Sequence, residues 1–201
     1  MQHRLIIFTR CPEIGRVKTR LIPLLGSEGA AQLHRRLVAH TLAWVNVLSS
    51  AHSVGVEVHF DGGNGELMAE CFGNRFCYVE QSPGDLGAKL AVATSSVNQP
   101  TVVIGTDCPD LNAESLLRAF GALEAVDLVL GPATDGGYYL IGLTKPQPAL
   151  FSNVPWGTDR VCKLTQTIAT DRGLSVCLLD TLHDIDRPAD VERLDRSLRE
   201  I

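Results

Sequence analysis

The chain has 201 residues, of which 45% are hydrophobic and 20% charged, values that are ordinary for a globular protein. A formal net charge of −5 argues against a nucleic acid as partner, and no apolar run approaches the roughly 20 residues of a membrane span. The length predicts one domain over residues 1–201, because domains usually contain about 100–200 residues. The first residues lack the features of a signal peptide, so we expect a cytoplasmic protein.

The first predicted element is a buried strand, Leu5 to Thr9, which is followed by a long loop. Prolines and glycines argue against a helix over residues 10–26, and long loops in compact domains are usually functional. Residues 1–36 carry seven Lys or Arg and only two acidic side chains. A basic segment in an acidic chain predicts a small anionic ligand, and phosphates commonly bind between a first strand and the following helix.

Beyond this loop, strand and helix patterns alternate, which predicts an α/β sandwich with a mostly parallel sheet. A helix is expected from Ser27, where leucines recur at helical spacing, and alternating valines predict a strand at 54–60. Strand patterns at 127–130 and 138–143 have no helix between them, so they predict a hairpin or a mixed-sheet excursion. The other predicted segments are helices at 66–72, 85–97, 113–123, 159–172 and 189–201, and strands at 76–79, 101–106 and 174–179.

The predicted central strand, Thr101 to Thr106, is followed by Asp107, Cys108 and Pro109. Its β-branched run is typical of a strand covered on both faces, and Pro109 ends it. Asp107 is therefore expected at the carboxyl end of a buried strand, where ligands bind in open α/β sheets. Two interpretations stay open: a carboxylate that only bonds the amides of the turn, or one that faces a metal or a phosphate.

Two later segments carry further candidate groups. Residues 135–137 read Asp-Gly-Gly after a predicted strand; glycines there let the backbone approach a ligand, and a plain β-turn is the alternative. Asp184 and Asp186 precede the last predicted helix, where Asp186 either faces a ligand or caps that helix. The cysteines and histidines form neither a zinc pattern nor a nucleophile–base pattern, so the carboxylates favour a hard cation, Mg²⁺ or Mn²⁺.

Taken together, four motifs resemble a bacterial family described as candidate nucleotide-diphospho-sugar transferases. They are P-x-x-G-x-V-K-T-R-L, G-T-D-C-P-x-L, G-P-A-x-D-G-G-Y-Y-L-I-G-L and D-I-D-x-P-x-D. The family is glycosyltransferase-A-like and related to 2-phospholactate and molybdenum-cofactor guanylyltransferases. The resemblance implies a three-layer α/β/α sandwich with a mostly parallel Rossmann-like sheet, and a nucleotide over the carboxyl ends of its first half.

The resemblance also implies which residues form the site. Residues 10–20 are assigned to the phosphates and Asp107 to the metal, with Asp186, or else Asp184, as the second metal carboxylate. Residues 81–89 resemble a family stretch near the base and the phosphates, with Lys89 where Arg is usual. The catalytic candidates are Lys18, Asp107 and Asp135. The nucleotide- or phosphate-binding candidates are Arg10, Gly15, Lys18, Arg20, Asp85, Lys89, Gly136 and Gly137.

The predicted activity is divalent-metal-dependent transfer from a nucleotide-activated sugar to an unknown small acceptor. One alternative is a nucleotidyltransferase that couples a nucleoside triphosphate to a small phosphorylated acceptor and releases pyrophosphate. The other is a non-catalytic nucleotide-binding module. All three have a nucleotide or sugar nucleotide as partner and involve neither a nucleic acid nor a membrane. The oligomeric state stays open, a homo-oligomer included.

Overall fold

The computed structural model describes residues 3–96 and 99–199, and its strands form one mixed sheet. The strands are β1 (His3–Arg10), β2 (Val54–Asp61), β3 (Cys77–Glu80), β4 (Thr101–Ile104), β5 (Leu128–Pro132), β6 (Tyr138–Leu143) and β7 (Val176–Leu178). The helices are α1 (Ile22–Ala51), α2 (Gly65–Phe72), α3 (Leu86–Ala93), α4 (Ala113–Ala122), α5 (Val161–Asp171), α6 (Pro188–Val191) and α7 (Arg196–Arg199). None of the described helices combines the length and apolar character needed to cross a bilayer.

The sheet confirms the predicted mostly parallel architecture, with the strand order β3-β2-β1-β4-β6-β5-β7. β1 pairs in parallel with β2 and β4, and β2 pairs in parallel with β3. β6 pairs antiparallel with both β4 and β5, which is the mixed-sheet hairpin that the short β5–β6 connection indicates. The other described strands therefore end at one common edge, where open α/β sheets bind their ligands.

Helices cover both faces of the sheet because its strands are apolar on both sides. Successive side chains of a strand point to opposite faces, and β1 shows this directly. Leu5 and Ile7 pack in one core cluster together with Phe120 of α4. Ile6 packs in the other cluster together with Leu90 of α3. The two clusters make a three-layer sandwich, in agreement with the fold class expected from the sequence.

The first helix begins earlier than the sequence predicts. It extends from Ile22 rather than from Ser27, with an interruption at Gly26, whose φ is 70°. Pro23 is compatible with this start because proline is tolerated in the first helical turn. Glycine adopts a positive φ at little cost, so a short turn of helix can precede the long one. The loop predicted for residues 10–26 is therefore shorter, and a 3-10 turn at Thr19–Leu21 precedes the helix.

The single helix predicted for residues 189–201 is wrong. α6 ends at Val191, and the backbone N–H groups of Arg193 and Leu194 then bond to carbonyls three residues back, at 3.0 and 3.2 Å. Bonds of this kind tighten the chain into a turn, and α7 starts only at Arg196. The last two residues of this prediction, and residue 97 of the helix predicted for 85–97, lie outside the described residues.

A charged network joins the first two strands. Arg4 donates from Nε and Nη2 to the two carboxylate oxygens of Glu57, at 2.9 and 2.8 Å, and His59 Nε2 lies 2.9 Å from Glu57 Oε2. The hydrogen bonds from Arg4 lower the pKa of Glu57 from 4.5 to about 2, although burial acts in the opposite direction. Because the folded-state pKa is depressed, this stabilisation is complete above pH 4.5 and is lost as the pH falls towards 2.

We expect Glu57→Gln to lower the free energy of unfolding at pH 7 by about 2 kcal/mol, since the glutamine keeps the shape of the side chain but loses the charged pair. This value is below the free energy that corresponds to the full pKa shift of Glu57, because the Glu57 side chain is 30% exposed and water screens the pair. Urea denaturation at pH 7 and at pH 3 measures the effect, which must shrink at the lower pH. Glu70→Gln on the exposed side of α2 is the matched control and should show no such pH dependence.

Candidate functional site

A cavity of 740 Å³ opens at the carboxyl edge of the sheet, above β1 and β4. Its walls come from segments that are far apart in sequence: the end of β1, the first loop, the residues after β4 and the residues before α6. The sequence-predicted site residues that line it are Arg10, Lys18, Arg20, Asp85, Lys89, Asp107 and Asp186. The structure therefore brings the predicted cations and carboxylates together on one rim of the sheet.

Lys18 is the buried centre of this cavity. Its backbone is left-handed, with a φ of 47°, a conformation that costs a non-glycine residue on the order of 1 kcal/mol. The side chain is only 3% exposed, and Nζ lies 2.8 Å from Asp107 Oδ1. Nζ also donates a hydrogen bond to the Ile185 carbonyl oxygen, at 2.5 Å. A buried ammonium requires such partners, so Lys18 ties the first loop both to the end of β4 and to the segment before α6.

Asp107 lies at the floor of the cavity, although 49% of its side-chain surface is exposed to the cavity opening. Burial by the cavity walls would raise its pKa, but the charge and hydrogen bond of Lys18 outweigh that effect and lower the pKa of Asp107. Its backbone oxygen accepts a hydrogen bond from the Ile185 N–H, at 2.8 Å. An ionised carboxylate is thus held in place at the carboxyl end of the buried central strand.

Arg20 and Asp186 form a second ion pair at the rim of the cavity. Asp186 is not the N-cap of α6, because that position is occupied by Arg187. Asp190 instead closes the start of this helix, accepting hydrogen bonds from the backbone N–H groups of Asp186 and Arg187, at 3.1 and 2.7 Å. The interpretation of Asp186 as a helix cap is therefore wrong, and its carboxylate faces Arg20 and the cavity.

A second cavity, of 450 Å³, adjoins the first and shares Arg20 and Asp186 with it. Asp135 and Asp184 line this second cavity, and Thr134 Oγ1 donates to Asp184 Oδ1 at 3.4 Å. Burial raises the pKa of Asp184, and the nearby charges of Asp135, Asp190 and Asp186 raise it further. The catalytic candidate Asp135 and the metal candidate Asp184 therefore belong to an acidic region beside the basic first loop.

The three glycines predicted to contact phosphates do not line either of these cavities. Gly136 has a φ of 88°, and a Cβ there would overlap the backbone of Asp159. The Gly137 N–H donates to Asp135 Oδ1 at 2.7 Å. These contacts match the β-turn alternative, in which the glycines shape the turn and pack it against the chain before α5. Gly15, with a φ of 78°, is a turn residue of the first loop, and the phosphate role of all three stays a prediction.

Asp85 and Lys89 belong to the part of the cavity near β2 and β3. Asp85 is the N-cap of α3, since its Oδ1 accepts a hydrogen bond from the Ala88 N–H at 2.9 Å. Lys89, one turn later on the same helix, forms an ion pair with Asp61 at 3.0 Å. In this structure the Asp85 side chain therefore caps the start of α3. The Lys89 ammonium lies beside the carboxylate of Asp61, at the end of β2.

The sequence reasoning missed several residues that line the cavity. His34 on α1 is buried, its Nε2 lies 3.0 Å from the Arg10 carbonyl oxygen, and burial lowers its pKa. Asp61 ends β2, and Gln81 follows β3. Of these three residues, only Gln81 lies in a segment that the sequence analysis names, residues 81–89. His34 fits an ordinary helical pattern, so nothing local distinguishes it from a core residue.

The carboxylates are of the type that holds a hard divalent cation. A backbone hydrogen bond from Ile185 joins Asp107 to the segment that carries Asp184 and Asp186. Burial raises the pKa of the neighbouring Cys108 thiol, and the negative charges of Asp107, Asp184 and Asp135 raise it further. Within residues 3–96 and 99–199, no three Asp, Glu, His or Cys side chains form a ready-made metal cluster. Mg²⁺ is usually bound by one or two carboxylates together with substrate phosphates, and Asp107 at the floor of the cavity and Asp186 at its rim are carboxylates of that kind.

We expect Lys18→Met to lower the free energy of unfolding at pH 7 by about 1–2 kcal/mol. Fully buried pairs lose about 3–5 kcal/mol when one partner is removed, but Asp107 is half exposed and partly screened. The depressed pKa of Asp107 contributes stability above pH 3.8 that is lost at lower pH, so the loss should be smaller at pH 3 in urea denaturation. Lys163→Met on the exposed face of α5 is the control; a Lys18→Met effect that is equal at both pH values would contradict the role of the pair.

Comparison with solved structures places the chain in the nucleotide-diphospho-sugar transferase fold. A candidate nucleotide-diphospho-sugar transferase from Desulfovibrio desulfuricans G20 is 28% identical, with a TM-score of 0.89 over 100% of this chain and 89% of that chain. CMP:2-keto-3-deoxy-manno-octonic acid synthetase complexed with CTP is 12% identical, with a TM-score of 0.54 and coverage of 96% of both chains.

A third similar structure is glucosyl-3-phosphoglycerate synthase from Mycobacterium tuberculosis in complex with Mn²⁺, uridine diphosphate and phosphoglyceric acid. It is 11% identical, with a TM-score of 0.60 over 94% of this chain and 72% of that chain. At this level of identity, the two synthases are similar to the chain in fold alone. A comparison with curated proteins found no match.

One family model matches residues 44–158, which extend from α1 through β6 to the chain before α5. The matched part contains Asp61, Gln81, Lys89, Asp107 and Asp135, whereas the first loop and the residues before α6 lie outside it. Together with the solved structure from Desulfovibrio desulfuricans, this match confirms the family resemblance that the motifs indicate. The chain belongs to the family described as "Uncharacterized protein conserved in bacteria (DUF2064)".

Proposed function

We propose that the protein is a divalent-metal-dependent transferase that acts on a nucleotide-activated sugar. The observation that carries this proposal is the convergence of two ion pairs, Lys18–Asp107 and Arg20–Asp186, on one cavity at the carboxyl edge of the sheet. Cations and carboxylates in one cavity provide partners both for phosphate oxygens and for a hard cation. The similar structures in complex with Mn²⁺ and UDP and with CTP support a nucleotide as the ligand.

In this proposal, the first loop binds the diphosphate of the donor. Arg10 and Arg20 are exposed at the cavity and can each donate two parallel hydrogen bonds to a phosphate. Lys18 keeps Asp107 ionised and fixed in place. Asp107 and Asp186, with Asp184 as the alternative to Asp186, would hold the cation, which when bound neutralises charge on the phosphates. The protein thus binds and orients the leaving group by charge, without a nucleophile of its own.

The acceptor, in this proposal, binds in the second cavity beside Asp135. Its hydroxyl oxygen attacks the anomeric carbon of the sugar, the bond from that carbon to the diphosphate breaks, and a nucleoside diphosphate leaves. The proton of the hydroxyl passes to the Asp135 carboxylate, which is exposed to this cavity. The shared residues Arg20 and Asp186 lie between the donor and acceptor cavities, where the reacting atoms must meet.

The alternative function is nucleotidyl transfer from a nucleoside triphosphate. The specific observation in its favour is the density of positive charge around the first loop, with Arg10, Lys18 and Arg20 all lining the cavity, since a triphosphate carries more charge than a sugar diphosphate. In that case the acceptor would attack phosphorus, and pyrophosphate would leave. The acidic second cavity is a less favourable place for the phosphorylated acceptor that this alternative requires, because like charges repel.

Asp107→Asn tests the metal role. We expect it to remove the Mg²⁺-dependent part of nucleotide affinity, a loss of about tenfold or more, because a neutral amide is a poor ligand for a hard cation. Calorimetric titration of GDP, ADP, UDP and CDP with and without Mg²⁺ measures this loss, and circular dichroism checks that the variant is folded. Asp110→Asn, an exposed change on the same loop, is the matched control. Unchanged affinity in Asp107→Asn would rule out the metal role.

The identity of the released product separates the candidate functions. Incubation with sugar nucleotides and a panel of small hydroxylated acceptors should release a nucleoside diphosphate, detected by chromatography, if the proposed sugar transfer is correct. Incubation with nucleoside triphosphates and phosphorylated acceptors should release pyrophosphate if the alternative holds. Nucleotide binding without release of either product from any combination would favour the non-catalytic module.

A further inference from the structure

His34 on α1 is a buried polar side chain to which the proposed function assigns no role. The residue is only 4% exposed, and it lines the 740 Å³ cavity together with Lys18 and Asp107. Burial is the largest effect on the pKa of His34 and lowers it, whereas the charge of Asp107 raises it. The imidazole is therefore close enough to the Asp107 carboxylate for their charges to interact.

The hydrogen bond of His34 determines which of its ring nitrogens is free. Nε2 lies 3.0 Å from the Arg10 carbonyl oxygen, and a carbonyl oxygen only accepts hydrogen bonds, so Nε2 carries a hydrogen. Burial favours the neutral ring. In a neutral imidazole with its hydrogen on Nε2, the other nitrogen, Nδ1, has a free lone pair.

This lone pair is accessible from the cavity. Within residues 3–96 and 99–199, the only hydrogen bond of the His34 side chain is the one from Nε2 to Arg10. The fully enclosed side-chain nitrogens and oxygens that lack a partner in these ranges do not include Nδ1. The small exposed part of the ring thus leaves Nδ1 open to a ligand in the cavity that His34 lines.

We propose that His34 Nδ1 is a ligand of the divalent cation, beside the Asp107 carboxylate. A metal-bound histidine usually donates its other ring N–H to a carboxylate or a backbone carbonyl, which fixes the tautomer and the orientation of the ring. His34 has this arrangement already, with the Arg10 carbonyl as the partner. The proposal rests on the metal role of Asp107 in the proposed function, and phosphate oxygens and waters would complete the coordination.

A nitrogen ligand changes which cation the site prefers. Mg²⁺ is a hard cation that takes oxygen ligands, whereas imidazole is a good ligand for transition-metal ions. The carboxylates alone are compatible with either Mg²⁺ or Mn²⁺. With His34 as a further ligand the site prefers Mn²⁺ to Mg²⁺, so His34 is the residue that determines the choice of metal.

The first test detects the nitrogen ligand in the wild-type protein. The probe is Mn²⁺ with inorganic pyrophosphate, which contains no nitrogen, and in parallel with nucleoside diphosphates. Pulsed electron paramagnetic resonance should show a directly coordinated ¹⁴N, which is replaced by ¹⁵N when the protein is labelled with ¹⁵N-histidine. Mn²⁺ that binds without a histidine nitrogen would overturn the His34 proposal and leave the transferase proposal standing. Failure of both Mn²⁺ and Mg²⁺ to bind with any of these ligands would overturn both.

The second test assigns the nitrogen to His34. In His34→Gln the amide nitrogen takes the place of Nε2 and can still donate to the Arg10 carbonyl, but no atom replaces Nδ1. The resonance signal of free Mn²⁺ measures the Mn²⁺ affinity, which should fall about tenfold or more. The Mg²⁺ affinity, measured by competition with Mn²⁺, should fall less, because Mg²⁺ depends on the oxygen ligands.

His40→Gln is the matched control for this test. His40 lies on the same helix, and its Nε2 lies 3.1 Å from the Pro109 carbonyl oxygen, but it lines a different cavity, of 180 Å³. This variant should keep the wild-type affinities for both cations. A His34→Gln variant that is folded by circular dichroism and has the wild-type ratio of Mn²⁺ to Mg²⁺ affinity would show that His34 is not a metal ligand.

Discussion

The ion pair between Lys18 and Asp107 is the constraint on which the rest of the site depends. A buried ammonium is unfavourable without partners, and the partners of Lys18 come from two distant parts of the chain: Asp107 after β4, and the Ile185 carbonyl, 167 residues away from Lys18. These three segments must meet for the charge to be satisfied. The requirement that the Lys18 charge be paired therefore brings together the segments that form the floor of the cavity.

The parallel order of the sheet gives this floor two neighbouring regions. On one side, the ends of β2 and β3 carry Asp61 and Gln81; on the other, the turn after β5 carries Asp135. In the proposed function, the region around Asp135 holds the acceptor, and the phosphates of the donor lie beside it at the first loop. Each region has its own balance of charge and of donors and acceptors, so different chemical parts of the substrates can be recognised along one edge.

Most of the fold and part of the site could be predicted because the residues on either side of a strand end are enough to identify it in the sequence. The β-branched run before Asp107 and the proline after it are enough to place Asp107 at the end of a buried strand, as the structure shows. The failures have local causes too. Pro23 argues against a helix in the sequence, although a first helical turn tolerates proline. Asp186 fits the pattern of a helix cap, but it is Asp190 that accepts the hydrogen bonds from the backbone N–H groups at the start of α6.

The sequence by itself determined the strand and helix alternation, the basic character of the first loop, and the supply of carboxylates at the ends of strands. Those features depend on residues that are neighbours along the chain. Only the tertiary structure decided that Lys18 pairs with Asp107, Arg20 with Asp186 and Lys89 with Asp61, and that both amide hydrogens of Gln81 are used by backbone carbonyls. A side chain of a given type accepts many partners, and its actual partner depends on which segments the packing of the sheet and helices brings within hydrogen-bonding distance.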